Sequence, residues 1–281
     1  MERRYATVTG SSGFIGSKLV IELRKNGMTV VGIDKDSGID IADRKALIRF
    51  VRGADYVFHM AVLPMNPSSN NIRACIDTNV LGTLNVVEAA EYVGVKKFIY
   101  SSASAVYGNT DSFFAVDETC PCNPNTMYGV SKLLGEMIVR QSKVPHVILR
   151  YMNVYGSGQK NGLIPTLLTC VKNRTPPTVF GGGSQVFDFV HVDDVVRANL
   201  LAAESNVIND TFNIGGGNAI SVLDVVEMVL KASKSDMKPV HLPDGTGTRR
   251  VGSSAKARTV LGYIPSTDFA KKIKEMVNDN S

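Results

Sequence analysis

Tyr128 and Lys132 stand four residues apart in the run Tyr128-Gly129-Val130-Ser131-Lys132. On a helix that spacing sets one side chain above the other on a single face. A free phenol has a pKa of about 10 and is a poor base at neutral pH. Lowering it far enough to take a proton from a sugar or alcohol hydroxyl corresponds to about 4 kcal/mol. A lysine ammonium one turn away favours the phenolate, and so does a cationic ring bound nearby. The same spacing arises by chance in many helices as a solvated pair. The pair gains meaning from what precedes it in the chain.

The segment Thr7-Val8-Thr9-Gly10-Ser11-Ser12-Gly13-Phe14-Ile15-Gly16 joins an apolar strand to an amphipathic helix. Gly10, Gly13 and Gly16 permit a tight turn and close backbone approach. The helix start offers free N–H groups and a positive dipole end to a pyrophosphate. Ser12, Phe14 and Ile15 belong to the same predicted contact. Asp34 ends the second predicted strand. A carboxylate there accepts hydrogen bonds from both adenosine ribose hydroxyls and repels a 2′-phosphate, which predicts NAD rather than NADP. Lys35 beside it softens that preference. Asp40 and Ile41 either meet the adenine edge or form an ordinary turn.

These residues need a scaffold, and the pattern supplies one. Strands are predicted at Ala6–Val8, Thr29–Ile33, Tyr56–Met60, Phe98–Ser101, Val147–Arg150 and Phe212–Ile214. Amphipathic helices are predicted between them at Phe14–Lys25, Ala42–Arg52, Asn79–Val93 and Tyr128–Ser142. Continuous apolar strands alternating with helices imply an α/β fold, a Rossmann-type doubly wound parallel sheet. Beyond Gly156 the pattern weakens into turn-rich segments, with helices at Asp193–Glu204, Ser221–Ala232 and Thr267–Val277. Ser221 and Asp224 have the spacing of an N-terminal capping box. The expected organisation is a nucleotide-binding domain over residues 1–156, with segments around 186–214 returning to its sheet. A smaller α/β lobe over 157–281 would bind substrate.

Composition excludes other classes. The net charge is +5, and the basic residues are scattered rather than gathered into a stripe, so no nucleic-acid surface is expected. The balance suits anionic small molecules. No apolar run is long enough to span a bilayer. Met1–Gly10 leads directly into a strand, with no room for a signal peptide. Cys120 and Cys122 flank Pro121, while Cys75 and Cys170 stand apart, so no second pair offers metal spacing. Reduced thiols in a cytoplasmic protein without a bound metal are the expectation.

The glycine spacing together with Tyr128 and Lys132 resembles the extended short-chain dehydrogenase/reductase family, and within it the NAD-dependent nucleotide-sugar epimerases and dehydratases. The likeness covers nearly the whole chain. It extends through His59-Met60-Ala61, Asn79-Val80-Leu81-Gly82-Thr83, Ser101–Gly108, Leu149–Gly156 and Asp188–Val195. His59 alone reads as a satisfied buried histidine. The resemblance implies Tyr128 as acid/base and Lys132 as the group that holds the nicotinamide ribose and lowers the tyrosine pKa. It implies further NAD contacts at Met60, Ala61, Val62, Asn79, Ser101 and Tyr151. Asn153 would face a nucleotide sugar, by default a UDP-sugar, and Arg249 or Arg250 would meet its diphosphate. Gly245 and Gly247 suggest a loop that closes over substrate. Pairing into a homodimer through Asn79–Val93 and Tyr128–Ser142 is a further implication, although the apolar faces of these helices equally suit a monomer core.

Two positions depart from the family. Relatives carry Ser or Thr where this chain has Ala103, with Ser102 and Ser104 as the neighbouring hydroxyls that substitute. Relatives carry Arg where this chain has Phe187, which shifts diphosphate binding onto Arg249 or Arg250. The dehydratases and decarboxylases place a carboxylate just after the Ser/Thr position, and here Ser104 and Ala105 follow. C4 epimerisation through a transient 4-keto sugar, such as UDP-glucose to UDP-galactose, is the simplest remaining chemistry. The alternatives are dehydration, decarboxylation, one-way oxidation, and a catalytically weak NAD-binding sensor.

Overall fold

The computed structural model describes residues 3–110, 114–243 and 248–279. Twelve strands follow in chain order among these: β1 (Arg4–Thr9), β2 (Met28–Ile33), β3 (Tyr56–His59), β4 (Lys97–Ala103), β5 (His146–Tyr151), β6 (Asn153–Tyr155), β7 (Thr178–Phe180), β8 (Val186–His191), β9 (Asp210–Ile214), β10 (Ala219–Ser221), β11 (Val240–Leu242) and β12 (Arg249–Arg250). The main helices of the first half are α1 (Phe14–Lys25), α2 (Arg44–Val51), the short α3 (Met65–Asn70) and α4 (Ile72–Cys75), α5 (Gly82–Val93) and α6 (Met127–Gln141). A π-helical segment, Ile76–Leu81, leads into α5.

Six strands form one sheet in the order β2-β1-β3-β4-β5-β9, and every pair in it is parallel. All six strands predicted from apolar runs are here. Successive side chains point to opposite faces, and each face is covered. Val57, Phe98 and Tyr100 pack with Leu47, Val86 and Val139 from α2, α5 and α6. Their neighbours Phe58 and Ile99 pack on the other face with Leu19 of α1. Both faces are dry, which is why these strands read as unbroken apolar runs rather than alternating ones.

The remaining strands build smaller sheets. β8 pairs antiparallel with β10 and parallel with β6 and β12, and β7 pairs parallel with β11. Helices α7 (Leu163–Asn173), α8 (Val192–Glu204), α9 (Val222–Ala232), α10 (Ala255–Leu261) and α11 (Phe269–Asp279) complete the chain. The capping box at Ser221 is formed: Asp224 N–H donates to the Ser221 hydroxyl at 3.0 Å, and Ser221 N–H donates to the Asp224 carboxylate at 3.2 Å. α8 packs on α1, and its Val195 joins the core of the main sheet.

The strand order reverses direction on either side of β1, so the carboxyl ends of β1 and β3 part and leave a crevice. No helix among the described residues is long and apolar enough to cross a membrane. Gly245 and Gly247 lie outside the described residues.

Candidate active site

A cleft of about 970 Å³ opens along the carboxyl ends of the main sheet and continues under the second lobe. At its first end Gly10 adopts φ +66°, a left-handed conformation that favours glycine. A Cβ on Gly10 would lie 2.7 Å from the Ala61 backbone, and one on Gly16 would lie 2.0 Å from the Gly10 carbonyl oxygen. The turn from β1 into α1 therefore closes to backbone contact, and only glycine fits. α1 begins at Phe14 with no side chain capping it. Its first N–H groups are left for an anion. Ser12 N–H donates to Asp34 at 3.0 Å. The Asp34 carboxylate also takes the Asp36 N–H, yet it retains lone pairs for two more donors. Lys35 forms an ion pair with Asp40 at 3.2 Å, and both line the cleft with Ile41. Backbone N–H donation from Ala42 holds the Asp40 carboxyl below its ordinary range, against a smaller effect of burial.

At the centre stands Tyr128, one residue into α6. Thr126 caps that helix by accepting the Gly129 N–H at 3.0 Å. Tyr128 keeps part of its surface open to the cleft, but the site is deep. Burial pushes its phenol up to about 12, with Cys75 adding to the rise. Lys132 lies one turn on and is 3% exposed. Its Nζ rests 4.4 Å from the Tyr100 ring centroid. Burial lowers its ammonium to about 7, although the Glu136 charge works the other way. The sequence argument has Lys132 lowering the tyrosine pKa. Within the chain's own residues burial outweighs that attraction and pushes both groups toward their neutral forms.

Beneath them runs a hydrogen-bond chain whose protons can be assigned. The Thr83 hydroxyl donates to the Asn79 carbonyl at 2.7 Å, so its oxygen must accept from His59 Nε2 at 2.9 Å. His59 Nδ1 then accepts from the Thr9 hydroxyl at 2.7 Å, and Thr9 accepts the Ala61 N–H. Burial lowers the His59 pKa to about 3, which keeps it neutral. His59 is the satisfied core histidine its surroundings suggested. Asn79 spends its side chain on Leu63 and on the Ser131 hydroxyl, which in turn donates to the Tyr128 carbonyl at 2.8 Å.

Several expected contacts are not at the cleft wall. Asn79 lies behind it, because its amide holds Leu63 and α6 together. Lys132 is likewise one layer in. Ser102 points to the far side of β4, and its hydroxyl donates to Glu136 at 2.5 Å. Ser102 still lines the cleft, but its hydroxyl is committed to Glu136. Glu136 is fully buried and takes a two-pronged pair from Arg150 at 2.9 and 2.8 Å. Burial would raise the Glu136 carboxyl, but the Arg150 guanidinium holds it low. Phe187 is also corrected: its ring is drawn into an apolar cluster and meets Phe189 edge-on at 6.3 Å. Of the arginine pair, Arg250 lines the cleft and donates from Nε to the Gly108 carbonyl at 3.3 Å, whereas Arg249 does not reach the wall. Arg250 pairs in register with Phe187 across β12 and β8.

The other predicted positions gather on one wall. Gly13, Phe14 and Ile15 line the cleft where α1 begins, and Met60, Ala61 and Val62 the floor after β3. Ser101, Ala103, Ser104, Tyr151 and Asn153 line the centre. Sequence reasoning missed Gln159, whose amide N donates to the Val154 carbonyl at 3.1 Å and whose Oε1 is buried without a partner. It also missed the Glu136–Arg150 pair, although Glu136 follows Tyr128 and Lys132 at the same four-residue step.

A family model described as the NAD dependent epimerase/dehydratase family matches residues 6–215. The chain belongs to that family. A putative UDP-glucose 4-epimerase of Methanocaldococcus jannaschii is 32% identical, with 96% of each chain covered. The solved UDP-glucose 4-epimerase of Thermotoga maritima, with UDP-glucose, is 31% identical and superposes with a TM-score of 0.90 over 98% of this chain and 97% of its own. The UDP-glucuronic acid 4-epimerase of Bacillus cereus, with UDP-glucuronic acid and NAD, is 29% identical with a TM-score of 0.90 over 99% and 100%. The family's NAD fits the residues present. The glycine turn closes to backbone contact beside the cleft, α1 starts uncapped there, and the Asp34 carboxylate lines the same end with lone pairs to spare. When bound, NAD would supply a reversible hydride acceptor. The chain is thus an enzyme of the epimerase/dehydratase family.

Proposed function

We propose that this enzyme is a nucleotide-sugar C4 epimerase acting on a UDP-sugar such as UDP-glucose or UDP-galactose. One observation carries the reading. Among the described residues lining the cleft, the carboxylates are Asp34, Asp36 and Asp40, all at the adenosine end. The wall beside Tyr128 carries Ser104 and Ala105 instead. Elimination of water needs a second acid or base near the sugar, and decarboxylation needs a group that orients the sugar's carboxylate. Reversible oxidation at one carbon needs only Tyr128 and the hydride acceptor. Tyr128 takes the hydroxyl proton as the carbon gives up a hydride, the 4-keto sugar turns over, and Tyr128 returns the proton to the oxygen while the hydride re-enters the carbon from its other face. Arg250 serves the diphosphate, where a guanidinium fork matches phosphate geometry, and Asn153 faces the sugar.

The test is to incubate the protein with NAD and, separately, UDP-glucose, UDP-galactose, UDP-glucuronate and UDP-N-acetylglucosamine, following anomeric protons by NMR. A growing C4 epimer with no free NADH supports the reading. Accumulating NADH, or loss of water or carbon dioxide, refutes it in favour of a sibling reaction.

We also infer a homodimer through α5 and α6. Leu84, Leu134 and Met137 are exposed on these helices, around a groove of about 540 Å³. Sedimentation of a Met137→Glu variant as monomer, against a dimeric parent, is the expected result. All four cysteines are free thiols, which fits a reducing cytoplasm.

A further inference from the structure

We propose that Tyr100 is a positioning residue for the proton transfer: the face of its buried ring holds the Lys132 ammonium charged and in place beside Tyr128. The proposal rests on the acid/base reading of Tyr128 and Lys132. It deepens that reading by naming what keeps the lysine a cation in so dry a site.

β4 turns its side chains alternately to the two faces of the sheet. Tyr100 and Ser102 face α6, and Tyr100 is fully buried in the apolar layer that Val86 and Val139 complete. The phenol end of its ring is seated on the helix. A Cβ on Gly135 would lie 1.9 Å from the Tyr100 hydroxyl oxygen, so glycine at that position is what admits it. The hydroxyl donates to the Lys132 carbonyl at 3.4 Å. On the strand side the His59 ring stands 5.8 Å away, centroid to centroid. The Tyr100 ring is thus fixed between β3 and α6.

Lys132 Nζ lies over this ring, 4.4 Å from its centroid. An aromatic face is negative and its edge positive, so the face attracts an ammonium and a neutral amine far less. The attraction strengthens where water is excluded, and both residues are buried. Among the described residues, the other groups nearby with charge or protons to exchange are Tyr128 and Glu136 on α6, His59 on β3 and Cys75 on α4. Tyr128 is the group whose ionisation the cation must support. Burial takes His59 down to about 3 and keeps it neutral. Cys75 keeps its thiol proton on the Met127 carbonyl at 3.8 Å. Glu136 attracts the ammonium, but its carboxylate is already shared by Arg140 and Arg150, each at 2.8 Å. The Tyr100 ring is therefore the direct contact that opposes burial at Lys132.

The consequence is chemical. A charged lysine one turn away favours the Tyr128 phenolate, and a neutral one does not. By holding the ammonium, the ring sets how often the pair carries the charge separation that accepts a substrate proton. Tyr100 does not line the cleft, so it acts through Lys132.

Truncating the ring would open a cavity and admit water, which favours an ammonium for a different reason. The test therefore changes the charge distribution of the ring at nearly constant shape. Tyr100→Phe keeps the face and removes the hydroxyl. A phenylalanine bearing three ring fluorines at the same position withdraws electron density from that face. In nucleotide-free protein with labelled lysines, NMR follows the carbon beside each Nζ across pH, and Lys132→Met identifies the Lys132 signal. In the parent that signal should titrate at about 7. Tyr100→Phe should leave the midpoint within about 0.3, and fluorination should lower it by about 0.7, a fivefold change in the proton equilibrium. In a single turnover of the NAD-loaded enzyme with a UDP-sugar at about pH 8, bound reduced nicotinamide should then appear about fivefold more slowly than in Tyr100→Phe, with sugar affinity within about twofold. A ring that only fills space would not respond to fluorine. A midpoint that fluorination leaves unchanged overturns the proposal, as does a Lys132 signal titrating near the ordinary 10.5. So does a midpoint that moves while the rate of the half-reaction does not. If no UDP-sugar yields reduced nicotinamide or an epimer in the parent, the epimerase reading falls, and the NMR midpoints still decide whether Tyr100 holds the lysine.

Discussion

Replacing Lys132 with methionine removes a charge from a site that disfavours it, and the effect should depend on pH in a defined way. Burial brings the Lys132 ammonium to about 7, against 10.5 for the ordinary side chain. At pH 7 the unfolded chain binds this proton fully and the folded chain about half the time. Holding the group there costs roughly 4 kcal/mol of stability, an upper bound. Between pH 7 and 10.5 the unfolded state binds more protons at this site than the folded state, so the parent protein gains stability as pH rises. By pH 10 the cost falls to about 1 kcal/mol. Methionine has no such term, and it gives up the contact of Nζ with the Tyr100 ring, worth about 1 kcal/mol. Nucleotide-free Lys132→Met should therefore be more stable than the parent by about 2–3 kcal/mol at pH 7, and the gap should nearly close by pH 10. Urea unfolding of both proteins at pH 7, 8, 9 and 10, compared at equal m-value, isolates this residue because the other titrations cancel in the difference. A gap that does not change with pH, or a parent more stable than the variant at pH 7, would refute the reasoning.

Tyr128→Phe should lower kcat by roughly 10²–10⁴-fold, the usual contribution of a positioned acid/base. Calorimetry should find NAD affinity within about threefold; surviving turnover would remove Tyr128 from the acid/base role. Gly10→Ala must place a side chain 2.7 Å from the Ala61 backbone at φ +66°. It should cost about 1–3 kcal/mol of stability and at least tenfold in NAD affinity, measured by thermal unfolding with and without NAD. Glu136→Gln leaves the buried Arg150 guanidinium without its counter-charge. Chemical denaturation should show a loss of about 3–5 kcal/mol, and a neutral result would mean Arg150 finds another partner.

The main sheet was legible because both of its faces are dry, so six apolar runs stand out against their surroundings. The smaller sheets were not. Ala219–Ser221 and Arg249–Arg250 are two or three residues long, and both pair with β8 far away in the chain. Nothing local marks them. At the site, the four-residue step from Tyr128 to Lys132 could be read directly, as could the glycine turn and Asp34. What the sequence hid was burial. The expectation that lysine would lower the tyrosine pKa weighed a charge against a charge, and the fold set desolvation above both. Ser102 and Asn79 look like neighbours of the cleft in the sequence. Strand parity turns Ser102 to Glu136, and Asn79 faces Leu63 and Ser131, partners 16 and 52 residues away. Gln159 carried no signal, since its importance lies in one oxygen that the fold leaves without a donor.

The proton-ordered chain from Ala61 through Thr9, His59 and Thr83 to Asn79, and on through Ser131 to Tyr128, acts mechanically as a strut. It ties the end of β1, the end of β3, the start of α5 and the start of α6 into one body. The floor of the cleft at Ala61 and the tyrosine on α6 are therefore tied to one another. The spacing between the ends of β1 and β3 and the first turn of α6 is thus fixed by hydrogen bonds inside one body rather than by contacts across the cleft.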